Sequence, residues 1–185
     1  MASGFPGVSM QNDWRGAGGG TVTSARPCTL FYHPGAGERN WSAERIVAAL
    51  RGVGFDPVLS VQDEDDWEAD MAAAQGLAIV AGGDGSISRI ASLIGDRDLP
   101  LAILPTGSGN NIARSLGILA PLDQVIEKLP MARTGPLRLC RARGEWGERR
   151  FVEGVGFGAL AHSVLELQDE KLDGAEKLIR GRDSL

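Results

Sequence analysis

The chain has 185 residues, with 19 Lys and Arg against 24 Asp and Glu for a formal net charge of −5; at ~100–200 residues per domain it has room for one full domain and part of a second. An acidic chain lacks the global basic field that gathers nucleic acid by counterion release, so no nucleic-acid partner is expected. Hydrophobic residues at 43% are ordinary globular usage, but 26 glycines are about twice the usual share and predict tight loops where backbone comes close to something.

Cys28 and Cys140 are the two cysteines, without a CxxC partner, so neither a zinc knuckle nor a disulfide framework is indicated and a reducing cytoplasm fits. No window approaches the ~18 apolar residues of a membrane span, and residues 1–27 lack the apolar stretch of a signal peptide. A cytoplasmic location is expected, with peripheral membrane contact left open and oligomeric state undetermined.

Residues 1–27 carry six glycines without apolar period and read as a flexible leader. From Cys28 a short strand pattern runs into a loop containing His33, Pro34, Gly35 and Gly37. Ser42 caps a predicted helix whose Ala43, Ile46, Val47, Leu50 and Val53 repeat at helical spacing. Residues 57–61 predict a second strand, and 65–75 a second helix. The acidic run of Asp63, Glu64, Asp65, Asp66, Glu68 and Asp70 lacks the glycine and spaced ligands of a calcium loop, and reads as a solvated helix start complementing the helix dipole.

Leu77–Ala81 is a continuous apolar run, as expected of a strand buried on both faces of a parallel sheet. Gly82-Gly-Asp-Gly-Ser86 follows, then a helical stretch with Ile87, Ile90, Ala91 and Ile94 inward. A further strand, 99–104, leads into Pro105-Thr-Gly-Ser-Gly-Asn-Asn111 and a short helix through Leu116. Strand, glycine loop and helix recur, the pattern of a parallel α/β sheet, whose ligands sit where strand carboxyl ends meet helix amino ends. Pro121–Leu129 predicts one more helix. Segments 137–143 and 149–157 around Gly144-Glu-Trp-Gly147 then predict a hairpin, and helical spacing returns from Ala159.

The two glycine loops carry the chemistry. Each is predicted to open a helix, where free N–H groups and the positive dipole end attract an anion and glycine lets a phosphate approach the backbone. Asp84 would repel a phosphate alone; a Mg²⁺ ion between them resolves the conflict, since Mg²⁺ favours one or two carboxylates plus phosphate oxygens. Thr106, Ser108 and Asn110 add hydroxyl and amide groups. The lysines, Lys128, Lys171 and Lys177, all lie outside the glycine loops, so the GxxxxGK[ST] phosphate loop is absent. Gly107-Ser-Gly-Asn-Asn-Ile112 lacks the third glycine of a dinucleotide fingerprint.

Val80-Ala-Gly-Gly-Asp-Gly-Ser86 followed by Leu104-Pro-Thr-Gly-Ser-Gly-Asn-Asn-Ile-Ala-Arg114 and Leu116-Gly-Ile118 resembles the diacylglycerol kinase catalytic-domain family, which includes bacterial lipid kinases and sphingosine kinases. His33-Pro-Gly-Ala-Gly37 is similar to the family's opening Asn-Pro-x-x-Gly loop, with His33 in place of Asn. Glu153-Gly-Val-Gly-Phe-Gly158 is similar to the glycine-rich strand that begins its second domain. The resemblance covers roughly residues 28–165.

That resemblance implies an ATP- and Mg²⁺-dependent kinase that moves the γ-phosphate to a lipid hydroxyl at a membrane surface. It implies a three-layer α/β nucleotide-binding domain of phosphofructokinase and NAD-kinase type at 28–135, and the beginning of a β-rich domain at 136–185. Nucleotide-binding residues carried over are His33, Gly35, Gly37, Gly82, Gly83, Asp84, Gly85, Ser86, Thr106, Gly107, Ser108, Gly109 and Asn110, with Asp84 also facing the metal. Only 32 residues follow Glu153, too few for that second domain, so the general base is expected beyond Leu185 and the chain reads as the nucleotide half of a lipid kinase. Asp173-Gly174 reads as a solvated loop or helix end.

Alternatives are an NAD or sugar-phosphate kinase of the same superfamily, and a non-catalytic nucleotide-binding or interaction module. His33 and His162 make neither a catalytic triad nor a zinc site. Arg138, Arg141, Arg143, Arg149 and Arg150 fit a solvated hairpin face better than an anionic lipid surface.

Overall fold

The computed structural model describes residues 25–36, 41–62, 65–145 and 147–154. In chain order its elements are β1 (Arg26–Tyr32), α1 (Ala43–Gly52), β2 (Phe55–Val61), α2 (Trp67–Ala73), β3 (Leu77–Gly82) and α3 (Asp84–Ile94). There follow β4 (Leu101–Pro105), α4 (Asn111–Ser115), α5 (Leu122–Lys128) with a short 3₁₀ turn at Leu129–Met131, and the strands β5 (Cys140–Gly144) and β6 (Gly147–Phe151). Gly37, the 155–157 end of the expected hairpin, and the predicted helical stretch from Ala159 lie outside the described residues.

The first four strands form one parallel sheet in the order β2-β1-β3-β4, so the fold is α/β, as the alternation of apolar strands and amphipathic helices predicts. Successive side chains of a strand point to opposite faces, and the core divides accordingly. Leu30, Ile79, Ala81, Ala102 and Leu104 pack with Ile46 and Leu50 of α1 and Leu122 and Ile126 of α5. Phe31, Ala78, Val80 and Ile103 pack on the other side with Trp67 and Met71 of α2, Ile87, Ile90 and Ile94 of α3, and Ile112 of α4. Three layers result. Ile79, Val80, Ile87 and Ile90 are fully buried, and shortening one isoleucine to alanine costs about 2–5 kcal/mol.

Element boundaries shift from the sequence expectation for local reasons. β1 starts at Arg26, so Arg26 and Pro27 leave the expected leader and join the sheet; residues 1–24 lie outside the described residues. Odd-numbered residues of β1 face β3, as the His33 N–H does in donating to the Ala81 carbonyl, and β3 pairs only from Cys28 onward. Pro27 therefore lacks an N–H where no ladder partner exists. β2 begins at Phe55, which is buried, rather than at Pro57. The Gln62 N–H donates to the Tyr32 carbonyl, so even-numbered residues of β2 face β1 and Pro57 faces outward from the edge. The Val61 N–H on that edge is taken by the Asp65 carboxylate at 2.7 Å. Proline and a capped donor leave the edge a poor template for another strand.

Asp63 and Glu64 of the acidic run lie outside the described residues, and three of its other carboxylates, Asp65, Asp66 and Asp70, accept hydrogen bonds from the chain itself. Asp66 is the N-cap of α2, accepting from the Glu68 and Ala69 amides at 2.9 and 3.3 Å, which shortens the expected 65–75 helix to 67–73. Asp70 accepts from the Ser60 hydroxyl. Among the described residues no group of three or more His, Cys, Asp or Glu is placed to hold a metal ion.

The chain divides into two compact units, residues 1–152 and 153–185. The hairpin of β5 and β6, which the sequence assigns to the 136–185 segment, packs with the first unit. Asp96, just beyond α3, accepts from Arg141 and Arg150 at 3.3 Å each, and Val152 packs against the cluster of α2 and α3. Arg143 holds the Glu148 carboxyl below its ordinary range by a hydrogen bond. No described helix is long and apolar enough to cross a membrane.

The two thiols differ sharply. Cys140 is exposed, whereas burial, then the Asp56 carboxylate, push the Cys28 thiol from 9.0 up to about 11. A raised thiol pKa means that its contribution to stability is intact below pH 9 and is lost as pH rises toward 11. Thiol titration of the native chain at pH 8 should therefore release the Cys140 signal rapidly and the Cys28 signal only on unfolding; rapid reaction of both would contradict the packing of β1.

Candidate functional site

The order β2-β1-β3-β4 places the chain reversal between β1 and β3. After β1 the chain goes to β2 on one side, and after β2 it crosses to β3 on the other. The segments leaving β1 and β3 thus diverge to opposite faces of the sheet, α1 to one and α3 to the other. Such a switch point opens a crevice at the carboxyl ends of the strands.

A cleft of about 590 Å³ lies there. Each parallel strand contributes the residues that follow it: His33, Gly35 and Ala36 after β1, Gln62 after β2, Gly83 to Ser86 with Arg89 after β3, and Gly107 to Gly109 after β4. Four strands and four exits meet at one place.

The two glycine loops touch backbone to backbone. A Cβ on Gly107 would fall deep inside contact with the Gly83 Cα, and also 2.9 Å from the Asn110 Oδ1. A Cβ on Gly82 would lie 2.5 Å from the Cβ of Ser86, which is buried beneath the loop. Glycine is required at both because nothing larger fits, and not because of a left-handed φ. The Thr106 N–H donates to the Gly82 carbonyl at 3.2 Å, tying the ends of β3 and β4 together below the contact.

Asp84, the first residue of α3, reaches across to α4. One carboxylate oxygen accepts the Asn111 N–H at 3.0 Å and the other the Ile112 N–H at 2.9 Å. A carboxylate favours a helix N-terminus both as hydrogen-bond acceptor and as charge, so Asp84 both begins one helix and caps the next. That structural role is absent from the sequence reading. Asn110 supports the same turn from a left-handed conformation, φ 54°, which asparagine tolerates. Its side-chain amide donates to the carbonyls of Gly107 and Pro105.

Of the residues expected in the site, the structure brings His33, Gly35, Gly83, Asp84, Gly85, Ser86, Gly107, Ser108 and Gly109 into the cleft. Gly82, Thr106 and Asn110 stand behind it as the frame of the loops, and Gly37 lies outside the described residues. The Thr106 Oγ1 and the Asn110 Oδ1 are buried and have no hydrogen-bond partner among the described residues. His33 turns back on its own loop, its Nδ1 accepting the Gly35 N–H at 3.4 Å. Gln62, Ala36 and Arg89 are lining residues that sequence reading missed. Gln62 and Ser60 separate at the end of β2: Gln62 enters the cleft, while Ser60 is buried against Asp70.

Among the described residues the cleft therefore offers main-chain N–H groups, two serine hydroxyls, the Gln62 amide, the His33 imidazole, one carboxylate and one guanidinium. This composition suits an anion held by backbone rather than by lysine.

Comparison with known proteins identifies the family. Residues 27–142 match the diacylglycerol kinase catalytic domain, and the chain belongs to that family. It is 28% identical over 170 residues to the "Probable lipid kinase YegS-like" of Klebsiella pneumoniae, covering 85% of this chain and 56% of that one. It is 32% identical over 83 residues to the diacylglycerol kinase of Mycobacterium tuberculosis, covering 42% and 26% respectively. The chain thus spans about half the length of the curated relatives it matches first. A crystal structure of a diacylglycerol kinase from Bacillus anthracis superposes with a TM-score of 0.48 at 19% identity, over 62% of this chain and 42% of that one.

Two substitutions test the geometry. Asp84→Ala removes the cap of α4 and should lower stability in urea unfolding by about 1–2 kcal/mol, with Asp84→Asn intermediate. Gly107→Val should be more damaging than Asp84→Ala, because its side chain must push the Gly83 backbone away. Equal stability of Gly107→Val and the unsubstituted chain would show that the two loops do not touch.

Proposed function

We propose that this chain is the nucleotide-binding part of a lipid kinase, and that its cleft holds the phosphates of ATP. The observation that carries the reading is the convergence of the β1, β3 and β4 exits on one cleft, which two glycine loops line with main chain that bears no Cβ at Gly83, Gly85, Gly107 and Gly109. Family membership supports kinase chemistry; ATP as donor, a lipid hydroxyl as acceptor and the membrane surface as the place of encounter are our proposal.

In the reaction so read, the lipid hydroxyl oxygen bonds to the γ-phosphorus, the bond from that phosphorus to the β–γ bridging oxygen breaks, ADP leaves, and a base takes the hydroxyl proton. Phosphoryl transfer needs positioning and charge neutralisation more than covalent chemistry from the protein. Gly83, Gly85 and Gly107 to Gly109 bind and orient, and the Ser86 and Ser108 hydroxyls add hydrogen bonds.

The donor set also fits Mg²⁺. Among the described residues Asp84 is the single carboxylate lining the cleft, so a divalent ion there would be held mostly by phosphate oxygens and water, the coordination Mg²⁺ prefers. Each Asp84 oxygen accepts one N–H and keeps a second lone pair for such a water. When bound, the ion neutralises phosphate charge.

Isothermal titration of the full chain with ATP should give binding that depends on Mg²⁺, and any label that radiolabelled ATP transfers to a panel of acceptors should appear on a lipid rather than on NAD or a sugar phosphate. Absence of nucleotide binding would remove the site assignment. Label on a soluble acceptor would remove the lipid assignment alone.

A further inference from the structure

Among the described residues Arg89 is the one permanent cation lining the cleft, and no described lysine lines it. It stands on α3 four residues after Gly85 and three after Ser86, so all three share the helix face that borders the cleft. Helical side chains lean toward the N-terminus, and Gly85 has open space where its Cβ would be. The path from Arg89 back over the Gly83–Gly85 turn is therefore clear.

The guanidinium is placed but unpaired. Its carbon lies 5.2 Å from the centroid of the Trp67 ring, and Trp67 is itself buried and set edge-on against Phe31 at 5.7 Å. A guanidinium over an indole face is fixed in position while its N–H edge stays available. Among the described residues Arg89 makes neither an ion pair nor a hydrogen bond, whereas Arg97 on the turn after α3 gives both nitrogens to the Met71 and Ala74 carbonyls. An arginine kept only to join α2 to α3 would do what Arg97 does.

We propose that Arg89 is a phosphate-binding residue of this site, supplying from α3 the positive charge that a phosphate-loop lysine supplies in other nucleotide-binding folds. The inference rests on the nucleotide reading above. A triphosphate brings several negative charges to a cleft in which, among the described residues, the other charged side chain is the Asp84 carboxylate, and a charge-assisted bidentate contact is among the strongest that a side chain makes to phosphate. Trp67 contributes by holding the guanidinium over the cleft.

The test is calorimetric titration of the full chain, unsubstituted and as Arg89→Gln and Arg89→Lys, with Mg²⁺–ATP and with adenosine, alongside thermal unfolding. Arg89→Gln should weaken ATP binding by about tenfold or more while adenosine affinity stays within about twofold. Arg89→Lys should recover part of the ATP affinity, and the salt dependence of ATP binding should be shallower in Arg89→Gln than in the unsubstituted chain. ATP affinity in Arg89→Gln within about twofold of the original would overturn the proposal, as would equal losses for ATP and adenosine. Failure of the unsubstituted chain to bind ATP at all would remove the nucleotide reading, and the role of Arg89 with it.

Discussion

The contact on which the site depends is between two glycines. Gly83 and Gly107 bring the exits of β3 and β4 to backbone contact, and the Asp84 carboxylate fastens the result by capping α4 with both oxygens. One loop thus supplies the negative charge that the next helix needs. The cleft is a consequence of that closeness. A single Cβ at Gly107 would separate the loops by more than a hydrogen bond tolerates.

The sheet makes this contact possible at all. Parallel strands with both faces covered place every loop of one kind at the same end, and the reversal between β1 and β3 splays two of those loops apart. The two hydrophobic clusters hold the strands in register from opposite faces. Changes in the core far from the cleft therefore reach it through the strand ends and through α3, whose Ile87 and Ile90 pack in the core, whereas changes at Gly82, Thr106 or Asn110 alter the loops directly.

Much of this was legible in the sequence, and the reasons differ between fold and site. The runs at 77–81 and 99–104 could be read as buried strands because both of their faces are covered, and α1 could be read from the spacing of Ile46 and Leu50. Strand starts were less legible where proline intervened. Pro27 and Pro57 look like breakers, yet each sits where the ladder asks nothing of its nitrogen. The glycine loops were legible as turns that lead from a strand into a helix, but not which of their residues face inward. Gly82, Thr106 and Asn110 belong to the same motifs as Gly83 and Gly107 and serve as frame.

The role of Asp84 as a cap was illegible because its partners lie 27 and 28 residues away and are main-chain atoms that any residue could provide. Arg89 was missed for a related reason. Its position one turn into α3 is a weak signal until the cleft-facing side of that helix is known, and the residue that fixes it, Trp67, comes from a different helix.

The central claim is that the segments leaving β1, β3 and β4 form one binding surface for a nucleotide's phosphates. Backbone amide shifts of the isotope-labelled chain during titration with Mg²⁺–ATP test it most directly. The account predicts that the amides of Gly35, Gly85 and Ser108 move together and saturably while those of β5 and β6 stay still; shifts confined to a single loop, or centred on the hairpin, would contradict it.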